Sequence, residues 1–190
     1  MLRVTNFTTV RSFAIVFDKC LRTIGKEAKG KEPSDSWKAK IILAEHSPIR
    51  LLEFDWTWKR IQMFVTTHLC RHHIGCEKFV ATQRSDRGNV KRSNMKQTKL
   101  NDMDFTANAQ ALVTISRKRL CSCASKETRD AWKLALNEVS KHEPILASKC
   151  VKECLYRGFC PEYFNPCGYD KTEQFQKDLI EYRNVDYKNE

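Results

Sequence analysis

Residues 52–58 read Leu-Glu-Phe-Asp-Trp-Thr-Trp. Apolar side chains at 52, 54, 56 and 58 alternate with polar ones at 53, 55 and 57. A period of two places Leu52, Phe54, Trp56 and Trp58 on one face of an extended strand and Glu53, Asp55 and Thr57 on the other. Such a face must be buried against a second layer, and the strand's own amides need neighbouring strands. The helical periodicities on both sides of this segment supply the second layer. The fold class expected is α+β, a small sheet with flanking helices.

Residues 8–24 carry Val10, Phe13, Val16, Phe17 and Leu21 at helical spacing. A basic loop, 25–32, follows. Pro33 and Ser34 open a second helix to about Glu45, and Pro48 ends that stretch. Residues 60–71 return to the helical period, with Ile61, Phe64, Val65 and His68 on one stripe. Residues 76–84 suit a short strand or a loop. From 84 to 99, six basic residues face one acid, Asp86, which predicts an exposed, mobile loop. A long helix is expected from about Phe105 to Leu120. Ser125 caps another, with Glu127 and Asp130 near its start and Lys141 and His142 in its last turn, matching the helix dipole; Pro144 stops it. A short polar helix over about 171–182 closes the chain. Two regions are expected: an α+β domain over 1–149 and a Cys-rich tail over 150–190.

The chain has 190 residues, enough for one domain and a short appendage. No apolar run approaches the roughly 20 residues of a membrane helix, and the N-terminus has no signal-peptide core. The expectation is a cytoplasmic protein without a membrane partner. Against 23 acidic residues stand 34 Lys and Arg, for a net charge of +11. That surplus favours polyanionic partners: nucleic acid, nucleotides or phosphorylated cofactors. The nine cysteines are odd in number, so they cannot all pair within one chain; thiols or metal ligands are expected. Cys20, Cys70 and Cys76 read as core thiols. The run Cys150-x3-Cys154-x5-Cys160-x6-Cys167, with Cys121 and Cys123 before it, is looser than paired zinc motifs. Both a structural metal site and a set of buried thiols, packed by Phe159, Tyr163 and Phe164, remain open.

The densest chemistry lies in residues 67–87, Thr-His-Leu-Cys-Arg-His-His-Ile-Gly-Cys-Glu-Lys-Phe-Val-Ala-Thr-Gln-Arg-Ser-Asp-Arg. On a helix, His68, Arg71 and His72 share a face, and that face prolongs the apolar stripe. Three polar groups at the end of a buried surface, followed by Gln83, Ser85 and Arg87, predict an anion site, since a guanidinium donates two parallel hydrogen bonds to phosphate.

This segment resembles the signature of flavin-dependent thymidylate synthases, an Arg-His-Arg, a spacer, then Ser, Gly and Arg. Arg71-His72-His73 is similar to its first half and Gln83-Arg84-Ser85-Asp86-Arg87 to its second. Two further blocks are similar in order and spacing: Glu45-His46-Ser47-Pro48-Ile49-Arg50, and Asn108-Ala109-Gln110-Ala111-Leu112 leading to Arg119-Leu120-Cys121. The likeness runs from about Lys38 to Trp132.

The resemblance implies an α+β fold and methylation of dUMP to dTMP with FAD, NADPH and methylenetetrahydrofolate. It also implies a homotetramer with active sites built from several subunits. By position, Ser47, Arg71, His72, His73, Thr82, Asn108, Gln110 and Thr114 would touch FAD. His68, Arg71, Gln83, Ser85, Arg87 and Arg119 would touch the nucleotide, with Ser85 beside the uracil as the catalytic residue and Arg87 and Arg119 on the phosphate. Some members have a similar Cys-rich tail, which implies Cys121, Cys154, Cys160 and Cys167 as the zinc ligands, if zinc is bound.

Departures from the family pattern are specific. His73 replaces an Arg, Gln83 a Glu, Asp86 a Gly, Arg50 a Glu and Gln110 an Arg. Only 20 residues separate Arg87 from Asn108, and the family's Ala-Arg-x-x-Leu-Pro segment is missing there. A compact form of this kind suits a phage or mobile element. Three alternatives stand beside the methylase: a hydroxymethylase on the same scaffold, a degenerate relative that only binds nucleotide, and a nucleic-acid-binding module using the 84–99 loop with Trp56 and Trp58.

Overall fold

The computed structural model describes residues 1–87 and 91–187. Its centre is a four-stranded antiparallel sheet in the order β1-β2-β4-β3. The strands are β1 (Arg3–Thr9), β2 (Glu53–Gln62), β3 (Cys76–Val80) and β4 (Leu100–Asn108). Among the described residues, eight α-helices accompany them: α1 (Phe13–Thr23), α2 (Asp35–Leu43), α3 (Met63–Cys70), α4 (Ala109–Arg119), α5 (Lys126–His142), α6 (Pro144–Lys149), α7 (Glu153–Arg157) and α8 (Glu173–Arg183). The α+β expectation holds. No helix among the described residues is long and apolar enough to cross a membrane.

The alternation at 52–58 does what its period demands. Phe54, Trp56 and Trp58 are all buried, and Trp56 and Trp58 lie opposite Phe105 and Met103 of β4. Helix α5 covers this face with Thr128, Ala131, Trp132, Ala135, Leu136 and Val139, spaced for one helical stripe. Trp56, Trp58, Phe105 and Trp132 form one aromatic cluster, with ring centroids 5.0–6.2 Å apart. Two indole N–H groups are satisfied inside it: Trp58 donates to the Ala131 carbonyl at 3.0 Å and Trp132 to Ser116 Oγ at 2.8 Å. With Trp56 and Trp58 buried, neither offers a ring to a nucleic-acid base.

Three expected boundaries are corrected. Residues 8–24 are not one helix: β1 comes first, and the helix starts at Phe13, capped by Ser12. A register shift between Thr5 and Thr8, with Asn6 at φ 54°, breaks the alternation that would have shown the strand. The helix expected from residue 60 begins at Met63, because β2 continues through a second bulge. There Arg60 adopts φ 61°, and Asp102 holds the bulge by accepting from the Arg60 N–H at 3.0 Å and from Lys59 Nζ at 2.9 Å. The extra residue re-phases the strand, so Ile61 is buried on the same side as Trp58. The helix expected from Phe105 begins at Ala109; residues 100–108 are β4, an interior strand between β2 and β3.

Other expectations hold. Residues 76–80 form a strand, and Ser34 and Ser125 cap α2 and α5 through their hydroxyls. In the 84–99 segment two short 3-10 turns are described, Ser85–Arg87 and Arg92–Asn94; residues 88–90 lie outside the described residues. Cys20 is half-buried and Cys76 buried, but Cys70 is exposed and is not a core thiol.

After Cys150 the chain builds a small cluster of its own around Cys154, Leu155 and Phe175. The final helix, expected to be polar, buries Phe175 and Tyr182. The last described residues return to the main core, where Val185 and Tyr187 pack. Lys149, 1% exposed, fastens this return by donating to the carbonyls of Tyr182 and Asn184 at 2.8 and 2.7 Å.

Candidate anion site where α3, β3 and α4 meet

Helix α3 follows β2 directly and ends at Cys70, with Arg71 as its C-cap. The cap keeps right-handed helical dihedrals, so the 68/71/72 face expected from the sequence extends past the last helical residue. At the far end of the sheet, Asn108 caps α4 by accepting from the Ala111 N–H at 2.9 Å, and the helix carries Arg119 to its last turn. The cap also packs on β3's approach. A Cβ placed on Gly75, whose φ is 71°, would lie 2.7 Å from Asn108 Nδ2. That loop therefore requires glycine.

Arg119 joins the two halves. Its Nε donates to His72 Nε2 at 2.8 Å and its Nη2 to the His68 carbonyl at 2.5 Å. Lys78 of β3 closes the other side, donating to the His72 carbonyl. His68 Nδ1 lies 3.0 Å from the hydroxyl of buried Thr128, which also contacts Ser125 Oγ at 2.9 Å, so the start of α5 holds this ring. Neither Lys78 nor Thr128 was expected from the sequence. The alternation of Cys76, Lys78 and Val80 on β3 was the available signal for Lys78; nothing in the order of residues announced Thr128.

The site is strongly electropositive. Among the described residues, Arg71, Lys78 and Arg119 have no carboxylate within ion-pair distance, whereas Arg117 pairs with Glu45 and Arg84 with Asp86. Partial burial and the nearby Arg119, Lys78 and His73 push the His72 imidazole down to about 4. Burial, then Arg119 and Arg71, also holds His68 below its ordinary value. Burial and Arg71 lower Arg119 in turn. Since His72 Nε2 accepts from Arg119, the neutral ring carries its proton on Nδ1 and has one donor left for an anion.

A pH dependence follows. The unfolded chain binds the His72 proton at an ordinary pKa, near 6.5, before the folded ring does. The stabilisation present above pH 6.5 therefore drains away as the pH falls towards about 4. With solvent screening at a half-exposed ring, the expected loss is about 1–2 kcal/mol. Urea midpoints at pH 7 and 4.5 measure it. His72→Gln, which can still accept from Arg119, should flatten the difference; an equal pH effect in both proteins would show that His72 is not its source.

The remaining expected residues divide into two groups. Ser85 and Arg87 stand on the exposed turn after β3 and make no side-chain bond to the cluster; Thr82 in the same loop accepts from the Arg84 N–H at 3.3 Å. Gln83, also there, holds a buried amide nitrogen with no acceptor among the described residues. Ser47 begins a short 3-10 turn and is exposed, as is His73. The other group is engaged within the chain. Gln110 donates to Glu45 Oε2 at 2.5 Å, Thr114 donates to the Gln110 carbonyl at 2.8 Å, and Asn108 is the α4 cap. Glu45 thus takes both Gln110 and Arg117, whose guanidinium lies 3.4 Å from the centre of the Tyr156 ring. Cys121, Cys154, Cys160 and Cys167 line one cavity near the end of α4. No three His, Cys, Asp or Glu side chains among the described residues are placed to hold a metal ion.

No protein-family model and no curated protein matches the sequence. Solved structures match in shape. A flavin-dependent thymidylate synthase, ThyX, from Helicobacter pylori, solved with FAD and dUMP, superimposes with a TM-score of 0.61 at 13% identity; the match covers 80% of this chain and 100% of that one. The UMP/dUMP methylase PolB from Streptomyces cacaoi, bound with 5-Br dUMP, superimposes with a TM-score of 0.62, also at 13% identity, over 77% of this chain and 93% of that one. The chain has the fold of these flavin-dependent thymidylate synthase and UMP/dUMP methylase structures, at 13% sequence identity to them.

Proposed function

We propose that the chain is a flavin-dependent enzyme that methylates dUMP to dTMP, with methylenetetrahydrofolate as carbon donor and NADPH as reductant. The observation that carries the reading is the cluster of Arg119, Arg71 and Lys78 around His72, without carboxylate partners among the described residues, on a fold shared with structures obtained with dUMP and with 5-Br dUMP. Half-buried Arg119 and Lys78 gain from a counter-charge, and a 5′-phosphate supplies it with geometry that suits the Arg119 guanidinium. Arg119 and the Nδ1–H of His72 would hold that phosphate. The unpaired amide nitrogen of Gln83 is a donor suited to a uracil carbonyl.

For the flavin the fit is uneven. Asn108, Gln110 and Thr114 spend their polar groups inside the chain, so the flavin's phosphates would fall to Arg71, His73 and Ser47, which are exposed. FAD, when bound, supplies the carrier for one-carbon and hydride transfer; the protein's own part is to bind, orient and exclude water. Ser85 and Arg87, which do not reach the cluster within one chain, would be brought to it by a homotetramer with shared sites.

The visible absorbance of the purified protein, recorded before and after adding FAD and removing the excess, tests the reading. A retained flavin spectrum that dUMP perturbs is the expected result. A colourless protein that ignores FAD overturns it and leaves a nucleotide-binding relative.

A further inference from the structure

Five of the nine cysteines, none of them in the cation cluster, open onto one cavity. Cys121 and Cys123 in the turn after α4, Cys154 on α7, and Cys160 and Cys167 in the loop before α8 line a space of about 440 Å³. All five are free thiols. Cys154 is buried, Cys121 and Cys160 are half-buried, and Cys123 and Cys167 are exposed. A reagent arriving from solvent therefore meets Cys123 and Cys167 first.

The segments that carry this exposed pair are stitched together in both directions. The turn over 121–124 is closed by the Ala124 N–H, which donates to the Cys121 carbonyl at 3.0 Å. From that turn the Cys123 thiol donates to Glu162 Oε2 at 3.9 Å. Glu162 lies on the loop that bears Cys167, and its Oε1 is held there by the N–H groups of Phe164 and Asn165 at 3.0 and 3.4 Å. In return, the Ser122 hydroxyl donates to Cys167 Sγ, which also accepts from the Tyr169 N–H. Cys167 is near enough to Cys123 for the two sulfurs to interact electrostatically. Two solvent-exposed thiols from segments 44 residues apart thus face each other across a pair of hydrogen bonds.

We propose that Cys123 and Cys167 are a reversible redox pair, joined as a disulfide by exchange with a small-molecule disulfide of the glutathione class. Cys167 attacks first, because the Cys123 S–H is engaged by Glu162 while the Cys167 sulfur receives donors. Cys167 gives its proton to solvent and its sulfur bonds one sulfur of the small disulfide; that S–S bond breaks, and a small thiolate leaves and takes up a proton. Cys123 then gives its proton to the Glu162 carboxylate and attacks Cys167 Sγ. The second small thiolate leaves and takes that proton. Two protein thiols are oxidised to one disulfide, the small disulfide is reduced to two thiols, and no proton is gained or lost overall. A disulfide brings its two Cα atoms within about 7 Å. Residues 163–167 are exposed throughout, so this loop is the part that adjusts. The bond would fasten it to the turn four residues beyond Arg119.

The test uses the full chain, fully reduced, then equilibrated with oxidised glutathione, quenched with an alkylating agent and digested without reductant. Mass spectrometry with peptide fragmentation should find Cys123 joined to Cys167, the product lighter by two hydrogens, and Cys121, Cys154 and Cys160 alkylated. Excess reduced glutathione should restore both thiols. Cys123→Ser should stop at the first step and accumulate a glutathione adduct on Cys167. Cys167→Ser should lose the cross-link, and Cys70→Ser, which removes an exposed thiol elsewhere, should form it as the unaltered protein does. A bond between any other two cysteines, or glutathione adducts and free thiols without a cross-link, overturns the proposal. The readout on the unaltered protein needs no variant to fold and is independent of flavin and dUMP.

Discussion

Arg119→Ala is expected to weaken dUMP binding at least about 100-fold, because two charged hydrogen bonds at roughly 1.5–3 kcal/mol each are lost together. The fold should survive. Arg119 is only half-buried, and the two groups it serves, His72 Nε2 and the His68 carbonyl, can turn to water. Arg119→Lys keeps the charge but not the planar fork, and should bind about tenfold more weakly than the unaltered protein. A second readout separates site from scaffold: without the guanidinium, the His72 ring should titrate closer to its ordinary value, visible by NMR. Calorimetric titration with dUMP decides the matter. An affinity unchanged in Arg119→Ala would mean that the phosphate sits elsewhere.

Trp132→Ala should cost the fold about 3–5 kcal/mol, a large share of the 5–15 kcal/mol that holds a typical domain. The indole is fully buried against Trp56, Trp58 and Phe105, and its N–H donates to buried Ser116. Alanine leaves a cavity where α5 crosses the sheet and strands the serine hydroxyl. Trp132→Phe keeps most of the volume and loses the hydrogen bond, so about 1–2 kcal/mol is expected. Phe164→Ala, at a ring 100% exposed, should change nothing measurable. Urea unfolding of the three variants tests the ranking; a Trp132→Ala protein as stable as Phe164→Ala would show that this cluster does not hold α5 on the sheet.

The strongest local patterns are legible in the sequence because one short interaction range sets them. Ser34 and Ser125 act as caps through hydroxyls that reach amides three residues on, and such contacts depend on neighbours in the chain. The strand at 52–58 was legible for the same reason. Where a bulge intervened, the pattern broke. Val4 and Phe7 fall out of alternation across the shift at Asn6, and Ile61 follows Trp58 by three residues across the bulge at Arg60. Read without the bulge, Ile61, Phe64 and Val65 look helical. In β4 two periodicities overlap: Met103, Phe105 and Ala107 alternate, but Phe105, Ala109 and Leu112 also match a helix. The sheet chose the first, since β4 must fill the place between β2 and β3.

The candidate site shows the same division. His68, Arg71 and His72 were legible as one face because they are close in sequence, and resemblance added Arg119. Lys78 and Thr128 were not legible, since they reach the histidines only through β3 pairing and α5 packing. The bond from Gln110 to Glu45, 65 residues away in the chain, was not legible for the same reason.

The residue order by itself determined the α+β class, the helix caps, the excess of positive charge and the clustering of His68, Arg71 and His72, all consequences of composition or of spacing within a turn or two. Only the tertiary structure decided that Arg119 lies on His72 across 47 residues, that it meets no carboxylate among the described residues while Arg117 is neutralised by Glu45, and that five thiols share one cavity. Those outcomes depend on strand order, on two bulges and on how α4 and α7 pack. Each is set by the burial of the whole core, and no local pattern encodes them.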